Sequence, residues 1–206
     1  LRIMRSVFII FIMSSFGFYG QNKNCIEHLN ELKKSLAVNP DSIYNLAQDV
    51  IDSKDGSVRC ISVAYNIQVI SAIYSGNYEK GIKAAEKGEA YTSKNGEDSV
   101  CGRIISMKGV LYDYQGNYSI AKETYMKAGG MFLKMKDTLN YGDSFNNVGL
   151  MFYYSDQLDS AFYYLSKAAI LPLPFELKLL IGPFLSPLHN VPLPKVDQSP
   201  SWFSGL

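Results

Sequence analysis

A repeat of forty residues constrains this chain more than any other feature. Gly76-Asn77-Tyr78 recurs as Gly116-Asn117-Tyr118, and the degenerate copy Asp156-Gln157-Leu158 stands one further step along. Flanking positions keep the same register. Ala72, Tyr112 and Phe152 align, as do Gly81, Ala121 and Ala161, and Gly88, Ala128 and Ala168 form a third column. Gly109 and Gly149 make a fourth, broken in the first copy by Val69. Fixed-period self-similarity marks a repeat architecture, in which each unit buries its apolar face against its neighbours.

Each unit reads as two helices. Ile104, Ile105, Lys108, Gly109, Leu111 and Tyr112 lie mostly three or four residues apart, the period of one helical face. Gly116 can take the left-handed conformation that ends a helix, and Asn117 is a candidate cap for the next. Tyr118, Ala121, Tyr125 and Ala128 then continue the stripe. The third unit repeats the plan with Phe145, Val148, Gly149 and Phe152, followed by Leu158, Ala161, Leu165 and Ala168. Small residues in register let helix backbones approach, and the aromatic rings fill the wider gaps.

On these residues the chain resembles the tetratricopeptide repeat family over about residues 59–171. The carriers are the small residue of the first helix (Gly109, Gly149), the aromatic three later (Tyr112, Phe152), the Gly-Asn-Tyr turn, and the Ala pairs of the second helix. The family's period is about 34 residues, so a forty-residue step calls for longer helices or for longer links, such as Thr92–Val100 and Lys134–Leu139. A degenerate terminal unit precedes, with a stripe of Ile26, Leu29, Leu32 and Leu36. After Pro40, with Asp41 or Ser42 able to cap, a helix then runs to about Ile51. The expectation is an all-α fold: about three and a half repeats, eight helices in antiparallel pairs. The resemblance implies that they stack as a right-handed α-solenoid over residues 25–171.

The two ends differ from the array. Residues 1–20 carry Arg2 and Arg5, the apolar run Val7–Met13, then Ser14, Ser15, Gly17 and Gly20, the order of a secretory signal. Val7–Tyr19 falls short of the roughly 20 apolar residues of a membrane span, so cleavage is expected and the array belongs outside the cytoplasm. Contact with a membrane is expected only through this segment or through sequence following Leu206. Cys25, Cys60 and Cys101 would then meet oxidising conditions. They are odd in number and lack a CxxC spacing, and they read as small apolar fillers of helix interfaces rather than as a disulfide framework. From Pro172 to Leu206 the chain holds seven of its eight prolines, with one short helical turn expected at Phe175–Ile181. This tail reads as a cover for the open end of the array, as a linker, or as sequence foreign to the array through a frame change.

Catalytic chemistry finds little support. His28 and His189 have no ligand partners at metal spacing. Cys25 and His28 lie one helical turn apart but nothing orients a base. Gly76–Lys83 lacks the adjacent Gly-Lys and the Ser or Thr of a phosphate loop. The sequon Asn117-Tyr118-Ser119 coincides with the repeat turn. No metal and no cofactor is expected. A formal net charge of +1, with 19% charged residues, argues against nucleic acid as partner. A hydrophobic content of 47% argues against disorder.

The resemblance implies a concave groove lined by first helices. Mapped onto this chain it takes Asn66, Ile70 and Tyr74 from one unit, Arg103, Val110 and Tyr114 from the next, and Asn146, Leu150 and Tyr153 from the third. Grip on a chaperone's terminal carboxylate needs several basic residues there, and Arg103 is alone. A mixed apolar and amide lining suits an extended peptide or a partner helix. The expected function is therefore a non-catalytic interaction scaffold for a peptide or protein partner. The alternative is the sensor part of a bacterial membrane signalling protein, a histidine kinase or transcriptional regulator with its repeats outside the cytoplasm.

Overall fold

The computed structural model describes residues 25–53 and 56–170. The export segment 1–20, the tail 172–206 with its short turn at Phe175–Ile181, and His189 lie outside the described residues.

Every regular element among the described residues is an α-helix: α1 (25–33), α2 (Pro40–Asp52), α3 (Val58–Tyr74), α4 (Tyr78–Lys94), α5 (Asp98–Tyr114), α6 (Tyr118–Lys134), α7 (Thr138–Tyr154) and α8 (Leu158–Ile170). The fold is all-α, of the α-solenoid class, with α2 packed on α3, α3 on α4, α6 on α7 and α7 on α8. From α3 onward each helix begins twenty residues after the last, and α3 to α7 are each 17 residues long. Three-residue links join them, so the long period comes from long helices. The longer links expected at Thr92–Val100 and Lys134–Leu139 do not exist. Thr92 still lies in α4 and Val100 already in α5.

The links share one backbone solution. Gly76, Gly96, Gly116, Lys136 and Asp156 all take positive φ, at 70°, 71°, 75°, 58° and 58°. In all five of these links the next amide then donates back five residues, as in Asn77 N to Ala72 O at 3.0 Å, Glu97 N to Thr92 O at 3.0 Å and Asn117 N to Tyr112 O at 2.9 Å. These bonds satisfy carbonyls that the helix end leaves open. Ser57, Asn77 and Asp137 cap α3, α4 and α7 through their side chains. Asn117 sits at the start of α6 but makes no side-chain cap. At α2 the cap position is Asn39 with Pro40 first in the helix, so neither Asp41 nor Ser42 fills that role.

The described residues form two compact units, divided between Val100 and Cys101. In the first, α3 is buried on nearly every side, including Ser62, Asn66, Gln68 and Ser71. Gln68 Nε2 donates to Gln48 Oε1 of α2 at 2.8 Å, and Gln48 Nε2 donates to the Asp52 carboxylate. Arg59 pairs with Glu97, tying the start of α3 to the link before α5. Cys25 is disulfide-bonded to Cys60, which fastens α1 to α3. That overturns the reading of both as interface fillers: folding brings their Cα atoms to 6.2 Å, within bridging reach. Cys101 does fill an interface, buried as a thiol among Ile105, Ala128 and Phe132.

In the second unit the small-residue columns explain themselves. A Cβ on Gly109 would lie 2.7 Å from the ring of Tyr125, and one on Gly149 2.7 Å from Leu165 Cγ. Each glycine is the surface on which the next helix rests. Tyr125, Val148, Met151, Phe152, Ala161 and Tyr164 form the core above it, with the Phe152 and Tyr164 rings stacked at 5.2 Å. Leu158 departs from its expected stripe and is exposed.

Candidate interaction surface

The surface worth building is on α5 and α7 of the second unit. Both helices turn one face to the core, and the residues just off that face decide what is offered outward. On α5, Val110 is half-buried against the core cluster, and Arg103 and Tyr114 are exposed on the same side, at seven- and four-residue steps. On α7, Leu150 packs half-buried on the same cluster, with Asn146 and Tyr153 exposed beside it. The structure therefore brings Val110 and Leu150 onto one support. It leaves Arg103, Tyr114, Asn146 and Tyr153 exposed.

The first unit holds the remaining three mapped residues, with one correction. Ile70 is half-buried and Tyr74 is 57% exposed, but Asn66 is buried and cannot meet a partner. The physical reason is local. Val58–Tyr74 carries a single charge, Arg59, in 17 residues, and a helix this apolar is enclosed rather than one-sided. Among the described residues Asn66 Oδ1 and Ser71 Oγ are buried with no hydrogen-bond partner, a cost of about 1–3 kcal/mol each.

The forty-residue register adds two residues that the mapping missed. The counterpart of Tyr74 and Tyr114 is Tyr154, the last residue of α7, rather than Tyr153. The counterpart of Asn66 and Asn146 is the half-buried Ser106. Strict use of the repeat step would have found both. Tyr74, Tyr114 and Tyr154 close their helices with 57%, 60% and 51% of their surface exposed. In the second unit Tyr154 also touches Tyr118, with ring centroids 5.4 Å apart, and Tyr153 at 5.7 Å. The end of α7 thus carries a group of touching rings, Tyr153 and Tyr154 with Tyr118 of α6, while Tyr114 is exposed at the end of α5.

Burial pushes the Tyr125 phenol far above its ordinary range, with the nearby Asp113 carboxyl and Tyr114 adding to the shift. Burial also raises the Asp113 carboxyl. The Tyr125 ring lies against α5 at Gly109. Covering a half-exposed tyrosine removes on the order of 100 Å² from water, about 2 kcal/mol per ring. Rings with two stiff torsions lose little entropy on being covered.

Two ideas from the sequence lose their chemistry. The Cys25 sulfur is committed to Cys60, so no thiolate stands beside His28. The helices on either side of Gly76–Lys83 leave no strand to present a phosphate loop. Among the described residues no three His, Cys, Asp or Glu converge as a metal-ligand group. No helix there is long and apolar enough to cross a membrane. Comparison with known protein families, with curated proteins and with solved structures returns no match.

Proposed function

We propose that the chain is a non-catalytic interaction scaffold whose second unit binds an extended peptide or a partner helix across the outward sides of α5 and α7. One observation carries this reading: the exposed tyrosine that recurs at the end of each first helix, beside a half-buried aliphatic residue four positions earlier. The pairs are Val110 with Tyr114 and Leu150 with Tyr154, and α3 carries Ile70 with Tyr74. Core packing does not require these rings to be aromatic or to recur. Tyrosine, arginine and amide side chains around an apolar floor are the composition that recognition surfaces favour. Arg103 and Asn146 supply polar contacts at the margin.

The reading includes membership of the tetratricopeptide repeat family, in a long-helix form, on the small and aromatic columns. It also places the array outside the cytoplasm. The Cys25–Cys60 bond supports that location, since disulfides persist in oxidising compartments.

The test is a peptide selected from a random library on the purified full chain, then titrated against Tyr114→Ser/Tyr154→Ser. Loss of at least tenfold in affinity with an unchanged melting temperature supports the surface. Unchanged affinity sinks it. A large fall in melting temperature would instead assign the two rings to packing.

A further inference from the structure

Asn117-Tyr118-Ser119 is the one Asn-X-Ser/Thr triplet in the sequence. Such a triplet, with no proline in the middle, is the acceptor signal for N-linked oligosaccharide on exported chains. From the repeat alone Asn117 has a structural task instead, to cap α6, and the structure removes that task. Asn77, forty residues earlier, accepts from Lys80 N at 3.3 Å and caps α4. Asn117 makes no such cap. Its Nδ2 donates to Gln115 Oε1 at 3.5 Å, longer than an ordinary hydrogen bond. Asn117 and Ser119 are both exposed. A Cβ built on the neighbouring Gly116, whose φ is 75°, would meet nothing within 4 Å. The turn between α5 and α6 therefore has open space beside it and an asparagine amide that the fold does not use. The other copies lack the triplet: Asn77-Tyr78 is followed by Glu79, and the third copy begins with Asp156-Gln157.

We propose that Asn117 carries an N-linked oligosaccharide. The inference rests on the extracytoplasmic location proposed above, because the transfer acts on exported chains. The donor is an oligosaccharide held on a polyprenyl diphosphate. Asn117 Nδ2 bonds to the anomeric carbon of the first sugar, and the bond from that carbon to the diphosphate oxygen breaks. The polyprenyl diphosphate leaves with the bonding electrons, and Nδ2 gives up one proton to the transferase. Tyr118 and Ser119 are helical in the folded chain, so transfer precedes closure of the first turn of α6. The folded state then has only to accommodate the product. An exposed carboxamide with no cap to lose carries it without displacing a core side chain.

The experiment expresses the full chain in a eukaryotic secretory host, once with its own first residues leading and once with a strong export leader placed ahead of them. The secreted protein is compared by mass before and after peptide N-glycosidase. One glycan is expected, removed by the glycosidase, which converts Asn117 to aspartate. Asn117→Gln and Ser119→Ala abolish it, and Ser119→Thr retains it. The glycosylated chain and Asn117→Gln both melt at the temperature of the unmodified parent. Modification with the added leader but not without it supports the acceptor and assigns the failure to the proposed location. Three results overturn the proposal: a secreted chain of unmodified mass, a glycan that persists in Asn117→Gln, or loss of the cooperative helical melt on glycosylation.

Discussion

Lys136 tests the twenty-residue turn register in a single substitution. It occupies the link position that Gly76, Gly96 and Gly116 hold elsewhere, with φ of 58° and an exposed side chain. A residue with a Cβ pays about 1–2 kcal/mol for the left-handed conformation. Glycine avoids that penalty but gives up about 0.5–1 kcal/mol through the freedom of its unfolded chain. Lys136→Gly should therefore stabilise the protein by about 0.5–1 kcal/mol. For a domain of this size that raises the melting temperature by about 1–4 °C. Gly116→Lys provides the mirror experiment. Nothing lies within 4 Å of a Cβ built there, so only backbone strain enters and the shift is of similar size and opposite sign. Both are read from thermal melts followed by circular dichroism. A lowered melting temperature for Lys136→Gly, or no change for Gly116→Lys, would refute the equivalence of the five links.

Other consequences concern the staple, the small-residue columns and alkaline pH. Cys25→Ser opens a bridge spanning a separation of 35 residues and should cost about 4 kcal/mol by loop entropy. Parallel denaturant titrations should show the parent weakened by dithiothreitol and the variant indifferent to it, and a parent indifferent to reductant would contradict the bond. Gly149→Ala places a methyl 2.7 Å from Leu165 Cγ and 3.1 Å from its backbone nitrogen. Overpacking of about 1–3 kcal/mol, offset by about 1 kcal/mol of helix propensity, leaves a net loss of up to about 2 kcal/mol in urea unfolding. A stabilised variant would mean that α7 and α8 do not touch there. The buried phenols of Tyr125 and Tyr164 titrate above the usual tyrosine range, so their contribution is complete below about pH 10 and declines as pH rises beyond it. Tyr125→Phe should push the midpoint of alkaline unfolding upward, and an unchanged or lower midpoint would count against burial of that hydroxyl.

Much of this architecture was written in the residues. The Gly-Asn-Tyr turns and the columns of Gly109 with Gly149 and Ala121 with Ala161 located six helices, because close helix approach leaves a periodic trace. What escaped was whatever depends on three dimensions rather than on period. Cys25 and Cys60 are 35 residues apart, out of step with the repeat, and only the docking of α1 on α3 brings them together. Asn66 stands in the repeat column of Asn146, yet α3 is enclosed on nearly all sides while α7 is not. Tyr154 is legible from the same forty-residue step that relates Tyr74 to Tyr114.

A binding footprint tests the proposed partner surface of α5 and α7 most directly. Amide hydrogen exchange of the full chain should be measured with and without a saturating library-selected peptide. The account predicts added protection confined to the ends of α5 and α7, around Val110–Tyr114 and Leu150–Tyr154. Protection that falls instead on α1 and α2, or on the α6 residues around Gly130 with α5 unchanged, would contradict it.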